Sequence, residues 1–115
     1  LLTFAKDAEV RAYARRLMEL TIAHWRGIDA AINALSADWK VERLVKMDRL
    51  LLRVAVAELH FVKGVDAGVT INEAVELSKL FSTEESYKFV NGILGRMADH
   101  VEKGEPLLKA AAPTP

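Results

Sequence analysis

An all-α fold is the expectation for this chain of 115 residues, and three observations carry it. Apolar residues recur at steps of three and four along most of the length, the period of a helix with one buried face. Each such run opens near Asp, Ser or Thr and closes near Gly or Pro, the residues that satisfy or terminate helix ends. No alternating strand pattern, internal repeat or Gly-rich phosphate loop interrupts them.

The first run spans Asp7 to Leu35, with Asp7 as its N-cap. Val10, Ala14, Leu17, Thr21, Trp25, Ile28, Ile32 and Leu35 form one stripe, and Tyr13, Leu20 and Ala31 a second row. Gly27 weakens the middle by about 1 kcal/mol relative to Ala and marks the place for a bend. Ser36-Ala37-Asp38-Trp39 reads as a break, followed by a short helical turn at Val41-Glu42-Arg43-Leu44-Val45. The next helix, Asp48 to Lys63, is apolar around most of its circumference and so belongs at the centre of the molecule, with Gly64 closing it. After the linker 65–69, Thr70-Ile71-Asn72-Glu73 has the form of a capping box; its helix carries Ile71, Ala74, Val75, Leu77 and Phe81. Ser82-Thr83-Glu84-Glu85 repeats that grammar and opens the last helix, whose buried face is Phe89, Val90, Ile93, Leu94, Met97 and Val101. Gly104 and Pro106 end it. Residues 1–103 thus make a single domain, and 104–115, rich in Ala and Pro, a disordered tail with little to bury.

Composition narrows the chemistry. By size, about two-thirds of the surface is hidden on folding, enough for a core without staples. Cysteine is absent, which removes disulfides, zinc–thiolate sites and thiol catalysis. No apolar stretch approaches a bilayer span and no signal peptide is visible, so no membrane association is expected and the default address is the cytoplasm. Sixteen basic and sixteen acidic side chains balance, unlike the basic surplus of proteins that bind nucleic acid alone. The chain opens on Leu1-Leu2 without an initiator Met; a leading segment was removed or is not part of this sequence.

No catalytic constellation emerges. His24, His60 and His100 fall on different runs with no metal-ligand spacing, and neither a nucleophile elbow nor a Walker loop is present. Glu84 and Glu85 suit a helix N-terminus. Neither an enzyme nor a cofactor or metal site is expected. Lys46, Arg49 and Arg53 share one helical face, preceded by Lys40 and Arg43, and Arg11, Arg15 and Arg16 form a second cluster. Each cluster reads as a solvated face or as a phosphate-contacting surface. Lys88-Phe89 pairs a cation with a ring: the phenyl is either core or a platform on which a base stacks while the ammonium meets phosphate.

Ile71-Asn72-Glu73-Ala74-Val75-Glu76-Leu77 and Lys88-Phe89-Val90-Asn91-Gly92-Ile93-Leu94 resemble the signature of the NusB family of bacterial transcription antitermination factors. Leu52-Arg53-Val54-Ala55-Val56-Ala57-Glu58-Leu59 is similar to that family's central helix. The resemblance is close over residues 40–103 and loose over the first helix. It implies an all-helical fold of two small packed bundles, no enzymatic activity, and binding of boxA RNA in ribosomal RNA leader transcripts together with NusE, a small-subunit ribosomal protein, within an RNA polymerase antitermination complex. Carried over by motif, Lys88 and Phe89 are RNA-contacting positions and Glu85 an acidic position beside them. Glu58, with Arg53, lies on the partner-facing central helix. Asn72, Glu73, Asn91 and Gly92 hold the fold, Glu73 as a cap and Gly92 by letting helices approach. Tyr87 stands where the family has His.

The family's Arg-rich first helix has no counterpart, which leaves the first bundle incomplete. The stripe through Tyr13, Leu17 and Ile28 then lacks a cover, supplied by a missing segment or by a neighbouring copy in a homodimer. Two other functions fit the residues: an accessory domain of a ribosomal RNA methyltransferase, against which the ending at Pro115 argues, and a helical scaffold that binds only proteins.

Overall fold

The structure, a computed structural model, describes residues 2–36 and 44–108, with side chains from residue 7 onward. Among them are five helices and no strand: α1 (Leu2–Ala23), α2 (Trp25–Leu35), α3 (Lys46–Phe61), α4 (Ala67–Phe81) and α5 (Glu84–Glu102). The expected break at 37–39, the Lys40 and Arg43 cations, and residues 109–115 of the tail lie outside the described residues. Of the turn expected at 41–45, Leu44 and Val45 are described and are not helical.

α3 is central, packing against all four other helices, while α4 and α5 form a tight antiparallel pair. This follows from its composition: Leu52 and Val56 are fully enclosed, and a helix apolar on several sides has to bury several sides. Ile28 and Ile32 of α2 and Val90, Ile93, Leu94 and Met97 of α5 meet them in the core. α4 approaches on small residues, burying Thr70, Ala74 and Ser78 at four-residue steps. Leu77 and Phe81, grouped with its apolar face in the sequence, are exposed instead, on the wall of an open groove they share with Leu50 and Val54 of α3.

The long first helix is two. The break falls at His24 (φ −120°, ψ 20°), three residues before Gly27. Hydrogen bonding continues across it: His24 N–H donates to the Leu20 carbonyl at 3.1 Å, and Ile28 N–H to the His24 carbonyl at 2.9 Å. The causes are side chains. The Thr21 hydroxyl donates back to the Leu17 carbonyl at 2.7 Å, a bond that bends helices, and the His24 ring packs on Phe61 with centroids 4.2 Å apart. Gly27 serves close approach instead: a Cβ there would lie 3.4 Å from Leu108 Cδ2. Asp7 is not a cap, since α1 starts at Leu2 and Asp7 is exposed within it.

Two further boundaries differ. Asp66, not Thr70, caps α4; its carboxylate accepts from Gly68 N–H at 2.8 Å and Val69 N–H at 3.4 Å. Thr70 is buried inside the helix with its hydroxyl committed elsewhere. α5 is capped by Thr83, which accepts from Ser86 N–H at 3.1 Å, one residue later than the Ser82–Glu85 spacing suggests. Its end is as expected. Gly104 adopts φ +73°, its N–H donating to the Val101 carbonyl at 3.0 Å while Glu105 N–H donates to the His100 carbonyl at 2.9 Å. This paired closure needs a left-handed residue. The chain then returns to the core. Leu108, placed in the tail by composition, is buried, because the turn at Gly104 aims it back at α2.

Candidate functional site

Two surfaces gather the residues singled out by the sequence. The first is the N-terminal end of α5. Thr83 and the helix dipole set Glu84 and Glu85 in the first turn, where carboxylates are favoured. Glu85, Lys88 and Phe89 stand at i, i+3 and i+4, one neighbourhood of the helix surface. Glu85 and Lys88 are exposed; Phe89 is half-buried, packed in part against the core. The ring is therefore anchored in part in the core and in part exposed. Tyr87 is half-buried beside them. Lys79, a cation no motif singles out, lies within electrostatic range of Tyr87. Its hydrogen bond to Glu76 raises its pKa above the ordinary lysine value, with the Glu76 and Tyr87 charges adding to the rise. Asn72, Asn91 and Gly92 are exposed. A Cβ on Gly92 would meet nothing within 4 Å among the described residues, so close helix approach is not what this glycine serves.

The second surface is built around Glu58 on α3. Its Oε2 accepts from the Tyr13 hydroxyl of α1 at 2.5 Å, and its Oε1 from the Thr70 hydroxyl of α4. Burial first, then the Glu58 hydrogen bond and the charges of Glu58 and Glu73, push the Tyr13 phenol up to about 12. Glu58, Thr70 and Glu73 form the polar end of an apolar groove of about 310 Å³, lined further by Leu17, Leu50, Leu51, Val54, Leu77 and Phe81. Glu73 is thus a groove residue, not a cap. Of the stripe expected to lack a cover, Ile28 is fully enclosed and Leu17 buried, whereas Tyr13 stays partly exposed.

Arg53 is engaged within the fold. Its Nε and Nη2 donate to Asp29 Oδ1 and Oδ2 at 2.6 and 2.7 Å, a bidentate pair bracing α3 against α2. The Lys46–Arg49–Arg53 row is therefore not a free cationic face, because its last member is neutralised; Lys46 is exposed and Arg49 half-buried. Arg11, Arg15 and Arg16 are exposed on α1. His24 and His60 flank Phe61, the latter edge-on at 4.7 Å; burial, with the His24 charge second, lowers the His60 pKa. His100 Nδ1 lies 3.7 Å from Glu105 Oε2. Among the described residues no cluster of three or more His, Asp or Glu could hold a metal, and no helix is long and apolar enough to cross a membrane.

The fold is an all-helical frame whose surface carries an apolar groove lined in part by Glu58 and Glu73, and a Lys–Phe pair at one helix start, features of a kind suited to binding. Comparison with known proteins makes the class specific. The model of the NusB family matches residues 1–99. The chain is 37% identical over 98 residues to the transcription antitermination protein NusB of Desulforamulus reducens, covering 85% of this chain and 68% of that one. To the NusB of Heliobacterium modesticaldum it is 47% identical over 95 residues, covering 83% and 46%. The solved structure of T. maritima NusB superposes with a TM-score of 0.73 at 41% identity, covering 79% of this chain and 64% of that one. The chain belongs to the NusB family of transcription antitermination proteins, which are not enzymes, and the all-helical architecture is that of the family.

Proposed function

We propose that the chain acts in the cytoplasm as an RNA- and protein-binding antitermination factor, reading boxA-type single-stranded RNA with the start of α5 and docking NusE beside α3. The observation that carries the reading is the pairing of an exposed ammonium at Lys88 with a half-exposed phenyl at Phe89. Unpaired RNA is read by stacking and local cations rather than by a large positive field, which suits a chain of formal net charge zero. A basic ribosomal protein sharing the phosphates supplies the remaining charge. Glu58 is the partner-facing carboxylate, and Glu85 borders both ligands. Arg53 contributes from behind, through its brace to Asp29.

The test is fluorescence anisotropy of a labelled boxA-type oligoribonucleotide titrated with the chain, with and without NusE. Binding is expected to tighten when NusE is present. Phe89→Ala is expected to weaken the ternary complex by about 1–3 kcal/mol, the range for one stacked base, and Lys88→Ala to weaken it and to reduce its salt dependence through the lost phosphate contact. Undetectable binding in both arrangements rejects the reading. Binding to NusE alone, indifferent to RNA, leaves a protein scaffold.

A further inference from the structure

We infer that Asp48, acting through Ser82, is a positioning residue for the Lys88–Phe89 end of α5; the inference rests on the RNA-binding reading of that end. Asp48 sits in the first turn of α3 and is 1% exposed. An enclosed carboxylate is costly unless its oxygens are bonded. One is: the Ser82 hydroxyl donates to Oδ1, while Oδ2 has no partner among the described residues. The helix N-terminus offsets part of the cost. The bond that this enclosed carboxylate does make runs to Ser82.

Ser82 is the C-cap of α4, its N–H donating to the Ser78 carbonyl at 2.8 Å. The next residue, Thr83, is the N-cap of α5. The corner between the helices is only these two residues, so a side chain fixing Ser82 fixes where α5 begins. Glu85, Lys88 and Phe89 follow within two turns. A displaced corner would turn the ammonium and the ring away from the geometry in which one base and one phosphate are met together.

The experiment uses the full chain with NusE and a labelled boxA-type oligoribonucleotide, well below each variant's Tm, together with amide chemical shifts of residues 84–89. Ser82→Ala is expected to move those amides and to weaken RNA binding by up to about fivefold, the factor one net hydrogen bond is worth. Ser82→Thr, which keeps the hydroxyl, restores both. Asp48→Ala removes the buried charge along with the bond and guards against a Ser82→Ala chain that does not fold; it is expected to reproduce the shifts. Where both variants fold, combining them adds nothing further. In a Lys88→Ala, Phe89→Ala chain, Ser82→Ala costs no additional affinity. Unmoved amides, or an undiminished loss in that chain, overturns the inference. Equal RNA binding by the parent and the Lys88→Ala, Phe89→Ala chain instead sinks the RNA-binding reading, while the shifts still report whether Asp48 holds the corner.

Discussion

At Glu58 one carboxylate serves three helices, and its charge is felt by the phenol that bonds it. Tyr13 is held neutral, with its pKa at about 12 against an ordinary value of 10.0. A group whose pKa is raised by folding contributes stability fully below its unfolded value and loses it as pH climbs through the folded one. Stability is therefore expected to fall between about pH 10 and 12, and Tyr13→Phe to flatten that fall; chemical denaturation across the range, with ultraviolet titration of the phenol, checks it. Arg53 makes the complementary point. Its partner Asp29 is 12% exposed at the side chain, so removing the guanidinium strands a nearly buried charge. Arg53→Ala is expected to cost about 2–3 kcal/mol in denaturant unfolding, whether or not any partner is present. Neither contact could be read from the sequence. The partners are 45 and 24 residues apart, and a single sequence carries no sign that such positions meet. Arg53 looked like one of a cationic row because only its own helix was visible.

At the scale of elements, α3, α4 and α5 were legible as helices, whereas boundaries and the division of the first helix into α1 and α2 were not. α3 and α5 stand out because their apolar steps are unbroken; Gly104 closes α5 at a left-handed position, whereas α3 ends at Phe61 with Val62 as its C-cap, two residues before Gly64. The start of α4 was misplaced because two residues compete to cap it. Thr70 has the Glu three residues later that the capping box requires; Asp66 lacks it, yet reaches two free N–H groups. In the structure Asp66 is the cap and the Thr70 hydroxyl goes to Glu58, which belongs to another helix. The break at His24 was hidden likewise, since its causes are a ring on α3 and a hydroxyl that any helix tolerates. Gly92 gives a test at this scale. It lies exposed inside α5 with open space where a Cβ would stand. Gly92→Ala is expected to raise stability by about 0.5–1 kcal/mol through backbone entropy, seen as a higher denaturation midpoint with an unchanged slope.

For the molecule as a whole, hydrophobic periodicity predicted the helical class and the central helix, because burying several apolar sides leaves few arrangements. The candidate site was legible in part. Lys88 and Phe89 were marked by their motif, whereas the Asp48–Ser82 contact behind them and the Glu58 groove needed helices brought together in space. The residues after α5 are a further case: composition suggested a tail, but Leu108 is buried at 7% exposure and meets α2 at Gly27. Leu108→Ala is expected to cost about 2–3 kcal/mol, measured by thermal or denaturant unfolding. That contact also bears on how the protein is made. One of the latest described residues seals one of the earliest helices, so during synthesis the flank of α2 stays wet until Leu108 has left the ribosome. Folding of the nascent chain can begin with its first helices but is completed only once Leu108 has emerged and packed at Gly27.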